Sequence, residues 1–452
     1  MENKLELLMP AGDMEKLKYA FAYGADAVYV GVPMFSLRAR TNAFTMETLK
    51  TAVDYVHSLG KKIYFTANIY AHNSKIKPFL AQFEKMLSYG PDAFIMSDPG
   101  LINIVRKSHP EAVIHLSVQA NNTNWAQVAF WKEIGISRVI LSREISIREI
   151  KEIHEMVPDI ELEAFVHGAI CMAYSGRCLI SNYLSNRDPN QGTCSHSCRW
   201  EYKVFKEELA PGELESATGR PEDYKQLEGS YYLEEAERPG EFMPIDEDEH
   251  GTYLMNSRDL MGIDYVKELA DAGVISFKVE GRNKTVNYVA SVARTYREAL
   301  DAVEAGKEYD TKKLSDELFS IANRGYIPGF LAGNPGANAQ FYERNGGFQE
   351  KLFIGKVLAY NEETKMCKIE VKNKFELDDT LDFLSPTDAW QEEVKSIKRI
   401  TNINRANDTE ISKIDVKDEN LVNEQVAHPG SFDVWINCSK NPGDYAIVRK
   451  KV

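Results

Sequence analysis

The stretch Glu161-Leu-Glu-Ala-Phe-Val-His167 is a short β-forming run that ends on a polar residue, with Cys171 just beyond it. Seven similar runs lie on either side, at residues 5–9, 27–32, 62–68, 93–97, 113–119, 138–142 and 275–280. Amphipathic stretches at 14–23, 46–59, 76–89, 125–134 and 147–156 separate them and predict helices. Eight β units alternating with helices is the arithmetic of a (β/α)8 barrel, a TIM-like α/β fold. A doubly wound open sheet uses the same alternation, but the count closing at eight favours the barrel.

The crossover between the seventh and eighth runs is abnormally long, and loops of that size are usually functional or carry structure of their own. It holds four of the six cysteines and then an acidic segment in which 15 acidic residues face three basic ones over 207–250, which is −12 of the chain's net −14. The remainder is close to neutral, so the overall charge does not exclude an RNA partner. Residues 230–233 and 252–255 suggest a small β excursion, and Asn256 or Ser257 is a plausible N-cap for a helix over 260–272. Helical patterns at 287–304 and 312–322 finish the barrel. Residues 325–345 are rich in glycine, asparagine and proline, and beyond them the texture turns to alternating strands. The expected organisation is a barrel domain over 1–330, containing a cysteine loop and β insertion at 171–254, a linker at 331–351, and a small all-β barrel domain at 352–452.

No apolar run approaches the length of a membrane span, and Met1-Glu2-Asn3-Lys4-Leu5 lacks a signal peptide's apolar stretch, so a cytoplasmic protein without a membrane partner is expected. In a reducing compartment, clustered cysteines read as metal-binding or redox-active before they read as disulfides. Their spacing is Cys171-x6-Cys178-x15-Cys194-x3-Cys198. Four soft thiolates suit either an iron–sulfur cluster or tetrahedral zinc, and the spacing alone leaves both open, along with unrelated thiols. The first cysteine falls just past the seventh strand, at the end of a barrel where active sites form.

The residues that follow each strand populate that same mouth. They include Arg38 and Arg40, Asn68, Asp98, Gln119 and Asn121, Arg143 and Glu144, His167, and Glu280 with Arg282. The arginines suit carboxylates or phosphates, because guanidinium forks match both; the plainer alternative is ring salt bridges with Glu144, Glu280 or Asp98. His167 is either a general base or a donor to nearby backbone. His167, Arg38, Arg40, Gln119, Asn121, Arg143, Glu280 and Arg282 are the candidate catalytic residues. Metalloprotease, nucleophile-elbow, dinucleotide and P-loop motifs are all absent.

Several long motifs carry a family resemblance. Phe165-Val-His-Gly-Ala-Ile-Cys171-Met-Ala-Tyr-Ser-Gly-Arg-Cys178, then Arg187-Asp-Pro-Asn-Gln-Gly-Thr-Cys194 and Cys198-Arg-Trp200, resemble the signature of the peptidase U32, collagenase-like family. Leu8-Met-Pro-Ala-Gly12, His115-Leu-Ser-Val-Gln-Ala-Asn121, Lys278-Val-Glu-Gly-Arg282 and Val371-Lys-Asn-Lys-Phe375 extend the likeness over nearly the whole chain. Within the family the likeness is greatest to members that hydroxylate tRNA. It implies conversion of the wobble uridine of the anticodon loop to 5-hydroxyuridine, with prephenate needed for the reaction. It also implies a 4Fe–4S cluster on Cys171, Cys178, Cys194 and Cys198, with zinc as the alternative metal. Proteolysis, implied by the family name, is the second functional reading.

Overall fold

The computed structural model describes residues 4–37, 42–171, 173–199, 257–335, 348–400, 421–430 and 433–452, and within 200–256 only the backbone of six short strands. Arg38 and Arg40 therefore lie outside the described residues.

The expected barrel is there. Its strands are β1 (Glu6–Ala11), β2 (Ala27–Gly31), β3 (Lys62–Ala67), β4 (Ala93–Met96), β5 (Ile114–Leu116), β6 (Arg138–Ile140), β7 (Glu161–Ala169) and β8 (Val274–Val279). Each pairs in parallel with the next, and β8 pairs with both β7 and β1, which closes the ring. Helices α1 (Met14–Ala22), α2 (Met46–Ser58), α3 (Asn73–Ser88), α4 (Pro99–Ser108), α5 (Trp125–Glu133) and α6 (Ile147–Met156) fill the crossovers. Their starts are written locally: Asp13 accepts from the Lys16 N–H, Thr45 and Ser146 open capping boxes, and Asp98 caps α4 ahead of Pro99. Strand residues such as Leu7, Met9, Val28, Phe65 and Phe94 bury against helix residues such as Leu49, Phe83 and Ile150 in one continuous core.

The bore of the barrel contains charge. Arg138 lies 2.5 Å from Glu6 and 3.3 Å from Glu163, and Lys278 lies 2.6 Å from Glu163. The Ser276 hydroxyl donates to both carboxylates and Tyr64 donates to Glu6. Burial pushes the Glu6 carboxyl up, but the Arg138 guanidinium and the hydroxyl donors outweigh it and hold it below the usual range. The network joins β1, β3, β6, β7 and β8 across the bore.

Past its pairing with β8, β7 runs on to Ala169, and its freed edge takes the strand Asp259–Met261 in antiparallel register. That strand replaces the start of the helix expected over 260–272. The backbone of Gly262 donates to Val166, a 3-10 turn follows at Ile263–Tyr265, and α-helix begins only at Val266, as α8 (Val266–Asp271), after the short α7 (Ile180–Ser185) of the cysteine loop. A strand edge with unsatisfied carbonyls outcompeted local helix propensity. The residues at Tyr326–Ile327, inside the glycine-rich stretch, pair with the same added strand. The β excursion is present as backbone hairpins, Tyr231–Glu234 with Phe242–Ile245 among them.

After α9 (Val286–Glu304) and α10 (Thr311–Ser320), the chain forms an eight-stranded antiparallel sheet that begins at Lys351. It has its own core, including Ile354, Ile369, Phe383 and Val448. Arg449, only 1% exposed, pins this unit to the barrel by bonding Glu317 on α10, Ser291 on α9 and Asp382 of its own sheet. Tyr23, the C-cap of α1, donates to the Leu384 and Tyr445 carbonyls.

Replacing Arg138 by methionine leaves the buried Glu6 and Glu163 with Lys278 as the one buried cation between them and is expected to cost about 3–5 kcal/mol in urea unfolding. A loss below about 1 kcal/mol would show that the network does not hold the bore together.

Candidate active site

The cysteine loop covers the C-terminal mouth of the barrel and is held down at three points. Glu144, just after β6, accepts from both the backbone and the hydroxyl of Ser175. Gly176 lies with φ +76° directly on the Gln119 carbonyl, where a Cβ has no room. Tyr70, after β3, bonds the Asn190 carbonyl through its backbone N–H, accepts from the Gln191 amide, and donates through its hydroxyl to the Gln119 carbonyl at 2.5 Å. A chain of serine hydroxyls, Ser181–Ser195 at 2.9 Å, Ser185–Ser195 at 2.8 Å and Ser195–Ser197 at 2.6 Å, ties the first cysteine pair to the second.

Two cavities stack beneath and within this loop. The deeper one, about 120 Å³, has Thr66, Asn68, Ser117, Arg143, Lys278 and Arg282 among its walls. The outer one, about 260 Å³, is lined by all four cysteines with Tyr174, Asn190, His196, Asn283 and Lys284. Gln119, Arg143, Ala169, Cys171 and Glu280 belong to both, so the two communicate. The Arg143 guanidinium donates to the Ala169 carbonyl at 2.7 Å and lies over the Phe165 ring, and its Nε is buried without a partner. Arg282 donates to the Leu37 carbonyl.

Of the expected site residues, Gln119, Arg143, Glu280, Arg282 and the four cysteines converge on these cavities. Asn121 and His167 are not among the lining residues. Asn121 takes a left-handed backbone conformation and donates to Ser142. His167 is fully buried among Tyr288, Tyr296 and Tyr326, with its two ring nitrogens facing the hydroxyls of Tyr296 and Tyr326. Burial, with Lys284 adding, lowers its pKa to about 3, so it stays neutral. Asp98 caps α4 and also accepts from the Ala71 N–H. Lys278 escaped the sequence reading, yet Ser276, Lys278 and Glu280 alternate on one face of β8, and period two alone points all three inward.

The thiols are free, and their chemistry suits a thiolate-bound metal group. Among the described residues no group of three or more His, Cys, Asp or Glu side chains is placed to hold a metal ion, and the four cysteines share the outer cavity's wall. Burial pushes the Cys178 thiol up and the neighbouring Cys171 and Cys194 add to it, while the backbone N–H groups of Ile180 and Ser181 act against it. The Cys194 sulfur likewise accepts from the His196 N–H at 3.4 Å. Backbone donors aimed at sulfur favour the thiolate, which is the form that binds metal.

The profile of peptidase family U32 matches residues 12–341, and that of the family's C-terminal domain matches residues 349–449. The chain belongs to peptidase family U32. It is 48% identical over 399 residues to the tRNA hydroxylation protein P of Escherichia coli, covering 85% of this chain and 86% of that protein. A 23S rRNA 5-hydroxycytidine synthase of the same organism is 32% identical over 67% of this chain and 40% of its own length. A collagenase of Porphyromonas gingivalis is 27% identical over 85% of this chain and 87% of its own length. No helix among the described residues is long and apolar enough to cross a membrane.

A histidine neutral in the fold but free to protonate when unfolded makes unfolding take up a proton. The stability tied to His167 is therefore whole above pH 6.5 and falls by about 1.4 kcal/mol per pH unit as pH drops toward about 3. His167→Gln is expected to flatten the acid limb of the stability–pH curve by one proton, measured by urea unfolding between pH 4 and 7. An unchanged slope would place the histidine's proton elsewhere.

Proposed function

We propose that the chain is an RNA-modifying enzyme that hydroxylates the wobble uridine of tRNA to 5-hydroxyuridine. The observation that carries this reading is the shared cavity, in which four thiols and the polar ends of β5, β6 and β8 face one another in a chain so similar to a tRNA hydroxylation protein. A base must leave its stack before chemistry reaches it, and anticodon loops present bases that can be splayed into a pocket. Tyr174, 57% exposed on the outer cavity's wall, offers a stacking face for such a base, and Lys284 on the same wall can meet a phosphate. Arg143 and Arg282 suit the two carboxylates of prephenate in the deeper cavity.

Cys171, Cys178, Cys194 and Cys198 would hold a 4Fe–4S cluster, which supplies one-electron chemistry when bound. The protein's part is to dry the pocket, orient the base against the thiol wall, and hold the carboxylates below it. A peptidase reading rests on the family name and the collagenase relative. It draws less support from the site, because His167 faces tyrosine hydroxyls and no cysteine.

Deleting the gene is expected to remove 5-hydroxyuridine-derived nucleosides from digested tRNA, and an unchanged nucleoside profile would sink the proposal. Anaerobically purified protein should show a broad visible absorbance that bleaches on reduction; zinc without iron in elemental analysis would overturn the cluster. Tyr174→Ala should raise the KM for tRNA by roughly 5- to 100-fold, the worth of one stacked base, with Tyr174→Phe near wild type.

A further inference from the structure

The Lys278 amine is used by nothing in the chemistry described so far. It sits near the C-terminal end of β8, 3% exposed, in the wall of the deeper cavity. Its one hydrogen-bonding partner in the bore network is Glu163, at 2.6 Å. Two ring faces also border it, Tyr29 at 4.5 Å and Phe165 at 5.5 Å, which accept no conventional hydrogen bond. Arg138 and Ser276 also reach Glu163, with Arg138 shared among Glu163, Glu6 and Glu161.

The enclosure holds two carboxylates and two cations. Passing a proton from Lys278 to Glu163 leaves one carboxylate facing one guanidinium, so the amine can be freed without stranding a buried charge. Burial lowers the Lys278 pKa, and the nearby Arg138 and Arg282 push the same way against Glu163. A desolvated lysine beside other cations is the usual setting of an amine nucleophile. Two residues of the same cavity wall carry unpaired polar atoms: Thr66 Oγ1 and Arg143 Nε are buried without partners. A guanidinium selects a carboxylate, and an amine selects a carbonyl.

We propose that Lys278 forms a Schiff base with the carbonyl of a small 2-oxo carboxylate seated in the deeper cavity beside Arg143. Lys278 Nζ adds to the carbonyl carbon, and Glu163, holding the proton the ammonium gave up, returns it to the departing hydroxyl. The net change is one C=N bond formed, one C=O bond broken and one water released, with no oxidant or reductant consumed. The inference deepens the placement of a carboxylate co-substrate in the mouth and rests on that placement, while its test involves no RNA.

The test is reductive trapping. The full-length, anaerobically purified protein is incubated with pyruvate and cyanoborohydride, with lactate as the control lacking a carbonyl, and then weighed intact and mapped by peptide. One reduced pyruvate is expected per chain, on Lys278, and none with lactate. Lys278→Arg keeps a cation beside Glu163 and should take no adduct, while Glu163→Gln should slow trapping by about tenfold or more. No adduct at Lys278, or label spread evenly over surface lysines, would overturn the proposal. Trapping at Lys278 in a protein that leaves tRNA unmodified would sink the RNA reading and keep this one; a tRNA hydroxylase without the adduct would do the reverse.

Discussion

Everything at the mouth of this barrel depends on the ion network in its bore. Glu6, Arg138, Glu163 and Lys278 come from four strands, and three of those strands, β1, β7 and β8, form the seam where the ring closes. Buried ion pairs add little net stability, because desolvation offsets their attraction. Their effect is on register: sliding β8 by one residue would turn Ser276 and Lys278 out of the bore and leave two carboxylates with one cation. Just beyond Lys278 the pairing with β7 shifts by one residue, and Glu280 then lines the cavity at the mouth.

The cysteine loop is an example of function carried on irregular chain above a rigid frame. Its clamps come from the ends of three different strands: Tyr70 after β3, Gln119 after β5 and Glu144 after β6. Each grips the loop close to a cysteine, at Ser175 and Gly176 between the first two and at Asn190 and Gln191 before the third. A loop so fixed can present four thiols to one cavity without any regular secondary structure longer than the six-residue α7.

The barrel was legible because its period-two runs and intervening amphipathic helices are strong local signals, as β7 and α6 illustrate. The cysteines were legible for the same reason, as residue chemistry at a recognisable place. Three features were not. The Asp259–Met261 strand owes its form to the freed edge of β7, a partner that local sequence does not reveal. His167 sits at a strand end among polar residues, but whether it faces a cavity or a box of tyrosines depends on α9 and on Tyr326, over a hundred residues away. The charged bore was hidden because a glutamate or arginine at the edge of a strand reads as a solvent-facing residue, and only the closed ring turns it inward.

The two cavities divide the work by depth. Toward the bore, the surroundings are ionic and small, which suits a compact anion held by guanidinium and amine. Toward the rim they become sulfur-lined and aromatic, with Tyr174 and Leu179 exposed, which suits a flat ring presented from a larger molecule. Arg143 and Glu280 border both, so a group bound below and a ring stacked above would meet at the same few atoms. The fold thus supplies a graded well, ionic at its floor and soft at its lip, and the cysteine loop is the wall along which the two meet.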